Sequence, residues 1–334
     1  MSSVYLPSQV FQPKRYRPGD GSGHLLFAND LIAALRPRVL VELGTNFGAS
    51  YFGFCQAIAE SNVECRAYAV APWTTDNQTG ARGESVYSEV REYNEANYAA
   101  FSRLIQGEFD DAVSQFDDER IDLLHIRGLR TFEAASRAFS CWLPKVRPGG
   151  VVLLAGTATR LGDSGVSKLW GSLTRQGTTF EFPHDSGLGV FEKPGSSNRS
   201  EFLETLFKAD KPLIEHIRRY YFLSAAELEL RYNLAALSSE HERLLEEADI
   251  KQTRIYLLSD SHSAMKAGQR EYAELHHQYE ELEENYEKLE ALYRQLTEEH
   301  ESLKRTFQNV LSSHSWKLTS PLRAAIRAVK GNTG

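Results

Sequence analysis

A seven-residue repeat near the carboxyl end restricts this chain more than any other feature. Leu275, Leu282, Leu289, Leu296, Leu303 and Val310 recur every seven residues, and Tyr272, Tyr279, Tyr286, Tyr293, His300 and Phe307 recur in the same period three residues earlier. Aromatic a positions and leucine d positions sustained in this way fit a helix with one apolar seam. About 40 residues at about 1.5 Å each make a rod roughly 60 Å long. The reading is a coiled coil through which copies of the chain associate. The alternative is an antiparallel hairpin with the helical stretch upstream. Tyrosine at the a positions is bulky and its hydroxyl needs water or a partner, so the pattern does not choose between dimer and trimer.

Charge divides the chain further. The 334 residues carry 38 Lys and Arg against 45 Asp and Glu, a net −7. Between Glu271 and Arg305 there are eleven Glu and four Lys or Arg, whereas Ser302–Gly334 holds six basic residues and no acid. A neutral globular part, an acidic helix and a basic tail follow, and the net charge argues against nucleic acid as a partner. In the tail, Ser320 fits an N-cap, Pro321 the first helical position and Gly331 the stop. Leu322, Ala325, Ile326 and Val329 share one face, flanked by Arg323, Arg327 and Lys330. A basic amphipathic helix over 315–331 suits an anionic membrane surface, a partner protein or a solvated end. No run of about 18 apolar residues marks a membrane span, and the first residues lack the apolar core of a secretory signal. Cys55, Cys65 and Cys141 lack metal or disulfide spacing, and Cys55 and Cys141 read as small buried hydrophobes. The expectation is a cytoplasmic protein, peripheral to the inner face of the membrane if the tail binds lipid.

Upstream of the repeat the pattern changes. Apolar runs at 39–44, 66–71, 121–126 and 151–155 alternate with helical spacing at 51–59, 87–101 and 132–143. Continuous apolar strands between helices indicate a parallel sheet covered on both faces. Two further runs, 178–182 and 187–192, lack a long helix between them and read as an antiparallel hairpin at the sheet edge. The segment from Lys193 to Ser200 is a linker by composition. The domains expected are an arm (1–20), an α/β domain (21–195), a linker and helical region (196–262), a coiled coil (263–312) and the basic tail (313–334).

The first strand runs into Glu42-Leu-Gly-Thr-Asn-Phe-Gly-Ala-Ser50 and then a helix. Gly44 and Gly48 permit a tight turn and close approach of a ligand, and the helix N-terminus presents free N–H groups. The spacing is not that of a Walker A loop, and no Lys-Ser/Thr follows, which disfavours a nucleoside triphosphate.

This segment resembles motif I of class I S-adenosylmethionine-dependent methyltransferases. The runs RPRVLVELGTNFGASYFGFCQAI, AYAVAPW, VREYNEANYAAFSRLIQGEFDDA, IDLLHIRGLRTFEA, WLPKVRPGGVVLLAGT and GVSKLW resemble the family 24-like module of bacterial surface-polysaccharide proteins. SHSWKLTSPLRAAIR resembles a segment that follows coiled coils in such proteins. The resemblance implies a Rossmann-like methyltransferase sheet with a C-terminal edge hairpin. It also implies that Glu42, Gly44 and Gly48 frame the adenosylmethionine site. Thr45, Asn46 and Ser50 would hold the amino-acid end, and Trp73 would stack near the adenine.

The chain departs from the family pattern at four places. Ala71 stands where a ribose-binding acid is usual, a loss that weakens the cofactor site by roughly ten- to a hundredfold. Arg127 and Arg130 replace a carboxylate and an imidazole after the fourth strand, and Ala155-Gly156 replaces a His-Asp pair after the fifth. These residues offer no metal ligands, so no metal is expected. His125 and His24 remain as candidate bases, with His125 also reading as a buried structural histidine. His184 and Asp185 read as turn residues. Arg127 and Arg130 suit a phosphate or carboxylate, or else a surface ion pair with Glu133. Two functions follow. One is a methyltransferase with an altered site acting in O-antigen- or capsule-like polysaccharide assembly. The other is an inactive scaffold that organises a glycosyltransferase or another assembly partner through the coiled coil.

Overall fold

The computed structural model describes residues 6–19, 21–73, 83–129, 131–159, 165–196, 199–258 and 262–312. Arg130 and the tail from 313 lie outside them, so the ligand-binding expectation for Arg130 and the membrane expectation for 315–331 do as well. Strands β1 (Val39–Leu43), β2 (Arg66–Ala71), β3 (Ser102–Gln106), β4 (Ile121–Ile126), β5 (Val146–Ala155), β6 (Thr178–Phe182) and β7 (Leu188–Glu192) form one sheet in the order β3-β2-β1-β4-β5-β7-β6. The pairings from β3 to β5 are parallel, and β7 runs antiparallel to both β5 and β6. The helices are α1 (Leu25–Leu35), α2 (Ala49–Glu60), α3 (Gly83–Asn97), α4 (Phe109–Ala112), α5 (Phe132–Trp142), α6 (Gly165–Leu173), α7 (Glu201–Lys208), α8 (Lys211–Leu258) and α9 (His262–Ser312).

The central strands are buried on both faces, which is why they read as unbroken apolar runs. β2 and β3 lie to one side of β1 and β4 to the other, so the chain reverses direction across the sheet between β1 and β4. The carboxyl ends of those two strands therefore frame the crevice where open α/β sheets bind ligands. The sequence pattern missed β3. Its residues, Ser-Arg-Leu-Ile-Gln, form a half-exposed edge strand without an apolar run. Cys55 and Cys65 are buried, but Cys141 is exposed, against expectation. On α5 the core face is set by Ala135, Ala138, Phe139 and Trp142, and position 141 falls off that face.

The chain divides into two compact units between Ala225 and Ala226. The sheet-bearing unit thus runs about thirty residues beyond the linker at which the sequence reading closed it. The reason is packing: Leu203 and Leu206 of α7 and Leu213, Ile217, Tyr220 and Tyr221 of α8 are buried. The Tyr221 ring meets Phe27 of α1 and Phe182 of β6 edge-on, each at 5.5 Å.

The second unit is a pair of antiparallel helices from one chain. Arg231 lies over the Tyr293 ring, His241 stacks on Tyr279, and Lys251 reaches Glu271 at 3.6 Å. Glu227 pairs with His300. Partners climb one helix as they descend the other, so the Tyr/Leu stripe of α9 faces α8 of the same chain. A coiled coil between copies is not what these contacts show. On α8 the half-buried residues Leu230, Leu234, Leu237, His241, Leu244, Ala248, Lys251 and Ile255 also alternate by four and three. Histidine, alanine and lysine at three of those places hide the heptad from a hydrophobicity pattern.

Candidate functional site

The site grows from one buried carboxylate. Glu42 sits in β1 with no solvent exposure, and its register partner in β4 is His125. His125 Nδ1 lies 2.8 Å from Glu42 Oε2. A carboxylate only accepts, so Nδ1 carries the proton. Thr45 donates to Glu42 Oε1 and Ser50 to Oε2, both at 2.7 Å. Arg127 Nη1 in turn donates to Ser50 Oγ at 2.7 Å. Burial alone raises the pKa of Glu42. The hydrogen bond and charge of His125, the charge of Arg127 and the Ser50 hydroxyl outweigh it and hold the carboxyl below its usual range.

This network fixes the loop between β1 and α2. Gly44 and Gly48 are left-handed, with φ of 84° and 81°. The close approaches they permit are internal. A Cβ on Gly44 would stand 2.2 Å from the Arg127 carbonyl oxygen, and one on Gly48 would stand 2.5 Å from the Phe52 ring. Gly44→Ala combines a disfavoured φ with a collision against backbone that cannot move aside. It is expected to cost at least about 2 kcal/mol. Gly21, at φ 79°, has the Arg127 guanidinium near, with Nη2 at 3.9 Å and Cζ at 4.0 Å from where a Cβ would stand. Gly21→Ala should cost clearly less, and urea denaturation of the two variants checks the difference.

The expected site residues are thereby sorted. Thr45 and Ser50 point their hydroxyl protons inward at Glu42. The half-buried residues of the loop are Gly44, Asn46 and Phe47. Gly48 caps α2 without a side chain, so first-turn N–H groups are left for another partner. Trp73 is 6% exposed at φ 43°, and its indole N–H donates to the Asn46 carbonyl at 3.1 Å. It ties the end of β2 to the loop, with Tyr87 against its ring at 5.0 Å. Ala71 is a buried methyl. His125 is the hydrogen-bonded buried histidine, and Arg127 turns into the site rather than to the surface.

His24, a candidate base by sequence, is 6% exposed. Its ring stands 4.4 Å from that of His184, which the sequence pattern places at the hairpin turn. Neither imidazole was distinguishable from a turn or core histidine in the sequence, because β6 and α1 bring them together only in the fold. Among the described residues no group of three or more His, Cys, Asp or Glu side chains is placed to hold a metal ion.

Residues 41–155 match the family model described as a methyltransferase domain. This part of the chain is a methyltransferase-type domain. An uncharacterized protein of Sinorhizobium fredii, y4gI, is 38% identical over 167 residues, which is 50% of this chain and 18% of that protein. The chain thus spans less than a fifth of the length of this curated relative. Among solved structures, a putative caffeoyl-CoA O-methyltransferase from Staphylococcus aureus is 18% identical, with a TM-score of 0.41 over 51% of this chain and 82% of that one. An O-methyltransferase from Bacillus cereus, solved with SAH, is 15% identical, with a TM-score of 0.41 over 54% and 84%. TomG from Streptomyces achromogenes, an O-methyltransferase solved with SAM, is 16% identical, with a TM-score of 0.39 over 51% and 78%.

Proposed function

We propose that the sheet-bearing unit transfers a methyl group from S-adenosylmethionine to a hydroxyl of a small acceptor in bacterial surface-polysaccharide assembly. The observation that carries this is the left-handed Gly44–Gly48 turn on the buried Glu42 network, at the carboxyl ends of β1 and β4, inside the matched methyltransferase domain. The polysaccharide setting comes from the sequence motifs.

The amino-acid end of the cofactor fits what is there. The first turn of α2, uncapped by a side chain, and the Arg127 guanidinium beside Ser50 both favour a carboxylate. The Asn46–Phe47 backbone supplies the half-buried polar edge. At the ribose end, Ala71 offers no acceptor to the hydroxyls, so binding is expected to be weak for this cofactor class. When bound, adenosylmethionine supplies an electrophilic methyl on a sulfonium. The chain's own part is to align the two reactants and keep water out, and alignment accounts for much of the barrier in such a transfer.

Ala71 favours a second reading, in which the fold is kept as a scaffold and the helical pair, a glycosyltransferase partner or the basic tail organises an assembly. Calorimetric titration of the full chain with S-adenosylmethionine and S-adenosylhomocysteine separates the two. Micromolar binding is the expected result. Silence at millimolar ligand removes the methyl-transfer reading and leaves the scaffold.

A further inference from the structure

Three side chains at the carboxyl edge of the sheet hold buried polar atoms that lack a well-placed hydrogen-bond partner among the described residues. Nδ1 of His184 and the hydroxyl of Thr157 make none, and the His24 ring nitrogens find no partner of good geometry, although the backbone of His184 and Asp185 lies close enough to His24 to raise its pKa as a hydrogen bond does. Burying polar groups in that condition is costly, and folded proteins rarely do it several times in one place.

These groups come together through the topology. Thr157 follows β5, His184 follows β6, and β6 runs in the same direction as β5 because each is antiparallel to β7. The segment 21–25 crosses to meet them. Gly23 N–H donates to Asp185 Oδ2 at 2.8 Å, and His184 Nε2 lies 3.0 Å from the Gly23 carbonyl oxygen. Gly187, in the same turn, leaves room for Thr157: a Cβ there would stand 2.6 Å from Thr157 Oγ1. On its other side the segment borders the loop site, where the place of a Gly21 Cβ is 3.9 Å from Arg127 Nη2 and Leu25 packs on Gly53 of α2.

The geometry also sets the tautomer. A carbonyl only accepts, so His184 Nε2 carries the proton, and a neutral ring then leaves Nδ1 as a bare lone pair. Burial lowers the pKa of His184, opposed by the Gly23 carbonyl and the Asp185 charge. Burial lowers that of His24 further, with His184 and His125 adding to the effect. Both rings are thus neutral near pH 7. Neutral imidazoles and a hydroxyl offer donors and acceptors but no charge, which suits neither a phosphate nor a cation.

We propose that His24, His184 and Thr157 line the acceptor side of the methyl-transfer site and bind an uncharged, hydroxyl-bearing molecule such as a glycoside, with the bare Nδ1 of His184 taking the hydroxyl proton. The inference rests on the methyl-transfer reading. The acceptor oxygen forms a bond to the methyl carbon as the bond from that carbon to the donor's sulfonium sulfur breaks. The oxygen's proton ends on His184 Nδ1, and the donor leaves as a neutral thioether.

The test uses nitrogen-15 NMR of the histidine rings in the full chain, with His184→Gln and His24→Gln to assign them. The expected result is a neutral His184 at pH 6.5 with the proton on Nε2. Methyl glycosides or glycerol, added with S-adenosylhomocysteine, should shift the Nδ1 resonance. In His184→Gln the amide still donates to the Gly23 carbonyl but offers no base. It should bind the homocysteine ligand with unchanged affinity while any methyl transfer falls by about 10²- to 10⁴-fold. A His184 that is charged at pH 6.5 or protonated on Nδ1 overturns the proposal. So do rings unmoved by every hydroxyl probe while the homocysteine ligand binds. Absence of that binding in the parent chain overturns the methyl-transfer reading beneath it, which the titration shows separately.

Discussion

Glu42→Ala lowers the stability of the sheet-bearing unit by about 3–5 kcal/mol, the range for breaking a buried charge pair from one side. The carboxylate accepts from the Thr45 hydroxyl and the His125 Nδ1 proton, and it also takes the Ser50 proton. Without it, Arg127 keeps its charge in a buried place. In a domain of this size that loss lowers the melting temperature by roughly 6–20 °C. Glu42→Gln keeps one acceptor but turns an amide N–H₂ toward groups that donate, so it recovers little. Calorimetric melting of the two variants checks the claim, and a fall under about 1 kcal/mol for the alanine variant would show that water already satisfies these groups. The carboxyl of Glu42 is held below its unfolded value, so its contribution is present above about pH 4.5 and is lost as pH falls through the folded value.

How much of this arrangement the sequence discloses depends on how local its causes are. β1, β2 and β4 are apolar because both faces are covered, and a run such as Val-Leu-Val-Glu-Leu states that directly. The glycines at 44 and 48 mark a left-handed turn for the same local reason. What fills the space beside them, the Arg127 carbonyl and the Phe52 ring, is set by a neighbouring strand and by the helix that follows. Glu42 inside an apolar strand reads as part of the frame of a ligand site, and its hold on the loop and on His125 becomes visible only with the neighbouring β4. The pairing of His24 with His184 joins residues 160 positions apart and has no periodic signature at all. The helical pair is an intermediate case: the α9 stripe is plain in the sequence, but the surface that covers it carries His241, Ala248 and Lys251 and so conceals its register.

The same distance in sequence hides the second titrating anchor, Asp30 in α1. It is 1% exposed, its Oδ1 accepts from the Ser8 backbone N–H at 2.7 Å, and its Oδ2 accepts from the Ser8 hydroxyl at 2.6 Å and from Tyr221 at 2.8 Å. All three donors are neutral. Burial therefore prevails over them and pushes the carboxyl from 3.8 up to about 6. Tyr221 stays a donor because burial first, and the Asp30 charge second, push its phenol well above the usual value. The sign is opposite to that of Glu42. A raised folded pKa means that folding takes up a proton, so the contribution is fully present below about pH 3.8 and is lost as pH rises through about 6. The full span is about 3 kcal/mol, and about half of it falls between pH 5 and pH 7.5. Asp30→Asn keeps the acceptor for the Ser8 N–H and cannot ionise, so it should flatten this part of the profile. Urea denaturation of both proteins at pH 5 and 7.5 measures the difference. Equal slopes in the two would mean that Asp30 is wet in solution and that Ser8 and Tyr221 do not seal it. A steeper loss in the parent places the anchor that holds α1, the amino-terminal arm and the start of α8 together where protonation governs it. It also accounts for the packing of the start of α8 on the sheet-bearing unit: the tyrosine that closes over this carboxylate lies beyond the linker at which the sequence pattern of the sheet ends.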